Sequence, residues 1–338
     1  MKQIWIPRSG PPGVLELREA ADPEPGAGAL RIRVEASGVN FADLMARMGT
    51  YPDGPPPPCV VGYEVAGVVD RLGAGVSEDW LGAEVVTVTR FGGYASHVVV
   101  DADAVARKPA GLDFAAAASL PVVGLTAWMM LEEMHRLRPG DRVLVHSAGG
   151  ALGLVACDLL KRRGATAVGT ASGHKHDFLR AWGYDELVDY RTQDYEAVLS
   201  EGPLFDLVLD PLGGHHWGKG LRLLKTAGKL VCFGMSVNAQ GDRASWSSAV
   251  RNVLRIPWWR MGPVGLINAN RGVLGVNMGR MWDEQARLKG WLEQLFALVE
   301  SGALRTHVHA RIPFSSAAEA HRILHARENL GKVVLIPD

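Results

Sequence analysis

Residues 143–153, Val-Leu-Val-His-Ser-Ala-Gly-Gly-Ala-Leu-Gly, constrain the fold of this chain more than any other stretch. An apolar, β-prone run passes through a turn of small residues into a smooth apolar segment, Leu154 to Leu160. That is the strand–turn–helix opening of a βαβ unit. Strand-like runs recur at 143–146, 165–170, 187–190, 205–210 and 229–234, with helix-length segments in most of the gaps. The alternation predicts a parallel, doubly wound sheet. A helix over 124–137 precedes the first strand, and Arg138-Pro139-Gly140-Asp141 turns between them.

A turn this small lets a dinucleotide pyrophosphate approach the backbone and rest on the helix N-terminus, where free N–H groups point outward. Gly149, Gly150, Ala151 and Leu152 are therefore candidate cofactor contacts. Ala148 stands where G-x-G-x-x-G has its first glycine, and a tight turn without a ligand is the alternative. The second strand ends in Thr170-Ala171-Ser172-Gly173-His174-Lys175. An NAD site places Asp or Glu near here for the ribose 2′-hydroxyl. This chain instead offers a hydroxyl, Ser172, and a cation, Lys175, which suit a 2′-phosphate, and Tyr190 at the end of the next run adds a phenol. The reading favours NADPH; the bland alternative leaves Lys175 on a solvated helix face.

Composition narrows the class. A chain of 338 residues buries a large core and usually divides in two. Its 36 basic and 36 acidic residues cancel, so nothing electrostatic points to nucleic acid. Cys59, Cys157 and Cys232 are dispersed, which reads as buried thiols in a reducing compartment. The N-terminal segment is too short and interrupted for a signal peptide, and no run approaches the roughly 20 apolar residues of a membrane span. A cytoplasmic location is expected.

Residues up to about Pro121 read as β-rich and turn-rich: Leu30–Val34 alternates with period two, and 60–69 and 84–89 are further short runs. Near Gly262 the pattern changes again. A helix is expected from Trp282 to Ser301, another from a capping box at Ser316–Glu319, and a last strand from Lys332 to Ile336. The expected division is 1–121 with 263–338 around an inserted cofactor domain, 122–262.

With these elements placed, the chain resembles the medium-chain dehydrogenase/reductases. Within them it is similar to the zinc-free quinone oxidoreductase (zeta-crystallin-like) group, and most of all to homologues of the synaptic vesicle amine-transport membrane protein. The resemblance is carried by Gly38-Val39-Asn40-Phe41-Ala42-Asp43, Gly62-Tyr63-Glu64-Val65-Ala66-Gly67, Leu120-Pro121 with Leu125-Thr126-Ala127, Val145 to Gly153, Thr170-Ala171-Ser172, Asp210-Pro211-Leu212-Gly213-Gly214 and Gly331-Lys332-Val333-Val334-Leu335. It implies a GroES-like, partly open β-barrel catalytic domain, a Rossmann NADPH domain and usually a homodimer. It extends the cofactor site to Asn40, Thr126, Gly234, Met235, Ser236, Val276, Asn277 and Asn329. It places Asn40 beside the nicotinamide and the reacting oxygen, against the alternative of a turn-forming Asn after a strand.

Relatives that hold zinc use Cys and His at the positions of Gly38 or Val39 and of Tyr63, and none of these residues suits Zn²⁺. The pairs His174/His176, His215/His216, His307/His309 and His321/His325 are read as solvated, so no metal is expected. Without a Lewis acid, the fitting acceptor is already electrophilic: a quinone, or the β-carbon of an enone. Catalysis is then mostly placement plus a few donors near the developing oxyanion. Some relatives carry a tyrosine where this chain has Met45, which leaves Tyr51, Tyr63 or water to deliver the proton. A cofactor-binding scaffold with little turnover and an alcohol dehydrogenase are the alternatives. Trp258 and Trp259 stand for an apolar substrate site, a dimer contact, a hinge or, with little positive charge nearby, a membrane contact.

Overall fold

The computed structural model describes residues 1–239 and 251–338, and these fall into two compact units. One holds residues 1–125 and 278–338; the other holds 126–239 and 251–277.

The first unit is built on a sheet of seven strands. Its order is Val308–Pro313, Lys332–Ile336, Ala29–Val39, Glu64–Leu72, Glu84–Val88 and Val105–Arg107, with His97–Asp101 also paired to Ala29–Val39. Leu30, Ile32 and Val34 alternate onto one face and pack with Val65, Val69, Val85, Val98 and Val105. A second cluster joins Ile4, Ile6, Val39 and Leu44 to Phe314, Ala320, Ile323, Val333 and Leu335. Each of the Val, Leu, Ile and Phe side chains contributes about 1.5–3 kcal/mol when fully buried. Register decides what meets at the sheet end: Val39 lies opposite Val333, and Ser37 opposite Val65. The end of one strand and the starts of its two neighbours therefore coincide, which brings Asn40, Glu64 and Lys332 together.

The second unit is a parallel six-stranded sheet in the order Glu186–Asp189, Thr166–Ala171, Arg142–His146, Phe205–Asp210, Leu224–Cys232, Gly272–Gly275. Chain order reverses beside Arg142–His146, the switch point at which such sheets open a crevice past their strand ends. The sixth strand, Gly272–Gly275, lies beyond residue 262, the expected end of the cofactor domain. The helical stretch before the first strand begins at Pro121 and has two parts, an α-helix Pro121–Trp128 and a π-helical turn Met129–His135. The helix read from Trp282 spans Gln285–Glu300. The expected capping box is absent: the Ser316 side chain caps nothing, and Glu319 is held by Arg322 at 2.7 Å.

Candidate active site

In the second unit every candidate cofactor residue except Thr126 follows the carboxyl end of a parallel strand. After His146 the chain turns through Ser147 (φ 58°) and enters the helix Ala151–Arg162. Gly150 is its N-cap and no side chain caps it. The first intrahelical bond there runs from the Leu154 N–H to the Gly150 carbonyl, 3.0 Å, so the N–H groups of Ala151, Leu152 and Gly153 precede the ladder. A Cβ added at Gly150 would meet only the Ser147 carbonyl, at 3.3 Å; one at Gly153 would strike the Ala148 carbonyl at 2.4 Å. Gly150 thus keeps space open outside the fold, and Gly153 lets helix and turn touch. Ala148 is fully buried at a φ that needs no glycine, which explains how it replaces the first glycine of the motif.

Behind this cradle Ser172 and Lys175 are buried, at 2% and 6% exposure, and the Ser172 hydroxyl lies 3.3 Å from the Tyr190 hydroxyl. Lys175 is therefore not on a solvated helix face. One acid does approach: Asp189, from the third strand, accepts the Arg191 N–H at 2.9 Å, and its carboxylate occupies the space a Cβ of Gly173 would need. Backbone N–H donors hold its pKa below the usual carboxylate range. Gly234, Met235 and Ser236 fold against Pro211: the Ser236 N–H reaches the Pro211 carbonyl at 3.0 Å, and a Cβ at Gly234 would come within 2.8 Å of it. Val276 is buried and its N–H bonds Cys232, 3.0 Å. Asn277 follows it, and Thr126 is buried in the helix Pro121–Trp128.

In the first unit Asn40 caps the helix Phe41–Met48 and is almost fully buried. Its Nδ2 donates to Glu64 Oε1 (2.8 Å) and its Oδ1 accepts from Lys332 Nζ (2.6 Å). Lys332 and Glu64 pair at 2.5 Å, and Glu64 Oε2 accepts the Val122 N–H at 2.7 Å. Beneath lies Asp43, which accepts from the Asn40 N–H (2.8 Å), the Gly62 N–H (3.1 Å) and the Tyr94 hydroxyl (3.1 Å). Burial lifts the Asp43 carboxyl to about 7 despite these donors. Tyr63 packs edge-on to Tyr51 (6.2 Å between ring centres), against Phe91 (5.1 Å) and stacked with Trp282 (6.5 Å). Burial raises both tyrosine pKa values, so these phenols remain protonated and are weak acids. Asn329 bonds the Gly331 carbonyl at 2.7 Å, next to Lys332. Sequence reasoning assigned no role to Glu64, Lys332, Phe91 or Trp282, although the first two were detectable as charges opening otherwise apolar strands.

Residues 26–110 match the alcohol dehydrogenase GroES-like domain family, and residues 182–335 match the zinc-binding dehydrogenase family. The human synaptic vesicle membrane protein VAT-1 homolog is 38% identical over 329 residues, 96% of this chain and 82% of its own length. The chain belongs to the medium-chain dehydrogenase/reductases. Among solved members, the Escherichia coli quinone oxidoreductase complexed with NADPH superposes with a TM-score of 0.86 at 28% identity, covering 100% of both chains. The CurK enoyl reductase gives 0.83 at 25% identity, covering 100% of this chain and 99% of its own.

As a medium-chain dehydrogenase/reductase the chain combines a GroES-like unit with a Rossmann sheet. At the positions of zinc ligands in other members, Gly38 has no room for a side chain, because a Cβ would sit 2.3 Å from Glu64 Oε1, and Tyr63 offers only a protonated phenol. Among the described residues no three His, Cys, Asp or Glu side chains gather as a metal-holding group. One histidine reading is corrected: His321 is fully buried, with Nε2 3.2 Å from the Tyr94 hydroxyl, and burial holds its pKa well below the ordinary value. Its helix turns it inward with Ala317 and Ala320. Trp258 and Trp259 are exposed, together with Leu254, Val264 and Ile267. Arg251, Arg255 and Arg260 are exposed beside them in sequence, more positive charge than the sequence reading allowed.

Proposed function

We propose that this chain is an NADPH-dependent reductase of a quinone or of the activated C=C bond of an α,β-unsaturated carbonyl. The observation that carries the reading is the uncapped, glycine-opened N-terminus of helix Ala151–Arg162 with buried Ser172 and Lys175 behind it. That site fits a pyrophosphate and a 2′-phosphate. The quinone oxidoreductase and enoyl reductase relatives support the substrate class. When bound, the nicotinamide supplies a hydride, and the acceptor takes its second hydrogen as a proton from water.

The chain's own residues bind and orient. The N–H groups of Ala151, Leu152 and Gly153 meet the pyrophosphate; Ser172, Lys175 and Tyr190 meet the 2′-phosphate. Asn40 donates to the acceptor oxygen as negative charge develops there. Tyr51 and Tyr63, with Phe91 and Trp282, give an apolar aromatic wall that suits a flat substrate.

The test is NADPH oxidation followed with menadione and 2-cyclohexenone, with and without EDTA. Turnover that survives chelation is expected, and Asn40→Ala should lower it about 10- to 1000-fold, the range for losing one oxyanion donor. Tight NADPH binding without consumption of either acceptor would replace this reading with a cofactor-binding scaffold. Loss of the rate on chelation would favour an alcohol dehydrogenase.

A further inference from the structure

A buried amide has two orientations, and the charges around Asn40 select one. Nδ2 faces the Glu64 carboxylate at 2.8 Å and Oδ1 faces the Lys332 ammonium at 2.6 Å. Turning the amide over would set its N–H groups against the ammonium and its oxygen against the carboxylate. Two charge-assisted bonds would become two repulsive contacts among buried groups. The pair is itself held in place. Lys332 and Glu64 side chains are 3% and 0% exposed, the Val122 N–H fixes the second Glu64 oxygen, and Gly38 leaves the volume that the carboxylate fills. With Nδ2 spending one hydrogen on Glu64, the other is the donor Asn40 has left. The Lys332 bond to Oδ1 draws electrons from the amide and strengthens that donor.

We propose that Glu64 and Lys332 are positioning residues that lock Asn40 as a hydrogen-bond donor toward the substrate. The site then selects a substrate oxygen that accepts, such as the carbonyl of an enone or quinone, over a group that can only donate, such as an ammonium. This rests on the reading that Asn40 faces the substrate. Neither residue touches substrate; both act through the amide.

The test has a binding arm and a kinetic arm on the full chain. In ¹⁵N-labelled protein the Asn40 side-chain amide is assigned by its loss in Asn40→Leu. Its resonances should shift on titration with cyclohexanone and stay in place with cyclohexylammonium, which has no accepting atom. Lys332→Met should abolish that discrimination and lower kcat for 2-cyclohexenone about 10- to 100-fold with the KM for NADPH unchanged. Lys332→Arg, which keeps the charge, should restore most of both. If Lys332→Met does not fold, Glu64→Gln carries the same expectation, because one acceptor cannot serve both Val122 and Asn40. A folded Lys332→Met or Glu64→Gln protein that keeps wild-type kcat and ketone preference overturns the proposal. If Asn40→Leu itself is fully active, it is instead the placement of Asn40 in the site that fails.

Discussion

Lys175 and Asp210 show how a single buried charge makes a measurable claim. Lys175 is nearly buried at the end of the second parallel strand, where its cation suits a 2′-phosphate and has nothing comparable to meet in NADH. Lys175→Ala should weaken NADPH binding on the order of tenfold to a hundredfold, the scale of one charge-assisted contact, and leave NADH nearly unchanged. Titration of protein fluorescence with each cofactor measures it, and equal losses would remove the 2′-phosphate assignment. Asp210 is fully buried; its Oδ1 accepts the Leu212 and Gly213 N–H groups at 2.6 and 3.0 Å, while Oδ2 has no partner. Burial lifts its carboxyl from 3.8 to about 7. Because the folded pKa is the higher one, its contribution to stability is complete below about pH 4 and is lost as pH rises through 7. Asp210→Asn keeps the accepting oxygen and removes the titration. Its stability relative to wild type, read from denaturant midpoints, should therefore improve between pH 5 and pH 8, by on the order of a few kcal/mol. A difference independent of pH would show that Asp210 does not titrate in this range. The signal for Lys175 was local, a missing acid and a gained cation at one strand end, and so it could be read. The partnerless oxygen of Asp210 depends on packing from several elements, which no local pattern records.

The glycine turn separates two jobs at the scale of an element. Gly150 sits at φ −78°, a conformation any residue adopts, and a side chain there would point into the space a pyrophosphate needs. Gly150→Val should therefore fold with a nearly unchanged thermal midpoint and lose cofactor binding. Gly153→Val should instead fail to fold or lose much of its stability, since its Cβ would overlap the Ala148 carbonyl. Circular dichroism melts with and without NADPH distinguish the two, and equal stability of both variants would mean the turn is packed differently. Strands with an unbroken apolar centre, Val143–Val145 in Arg142–His146 and Leu207–Leu209 in Phe205–Asp210, were legible because burial on both faces demands continuous apolar runs. Gly272–Gly275 was not, since Gly-Val-Leu-Gly is short, bounded by glycines and half-buried. The His321 helix shows a signal present but misread. Ala317, Ala320, His321 and Leu324 follow the i, i+3, i+4, i+7 spacing of an inward face, and the histidine was weighed as a charge and not as part of that stripe.

For the whole molecule, the sheet of the first unit is assembled from the two ends of the chain described here. Lys332–Ile336 is an interior strand, between Val308–Pro313 and Ala29–Val39, and Lys332 also completes the pair that holds Asn40. The entire parallel sheet is encoded between those partners. On a ribosome, the Ser37–Val39 end of that strand thus emerges some three hundred residues before the strand that covers its edge, while His97–Asp101 already covers residues 29–33. The second unit has all six of its strands well before then. Nascent chains arrested near residue 300 should therefore protect 142–232 from protease while the first 125 residues are still cut, and the fold of the first unit should be completed only as synthesis passes Lys332. A protein ordered in this way depends on whatever shields its early strands during translation, long before any cofactor can bind.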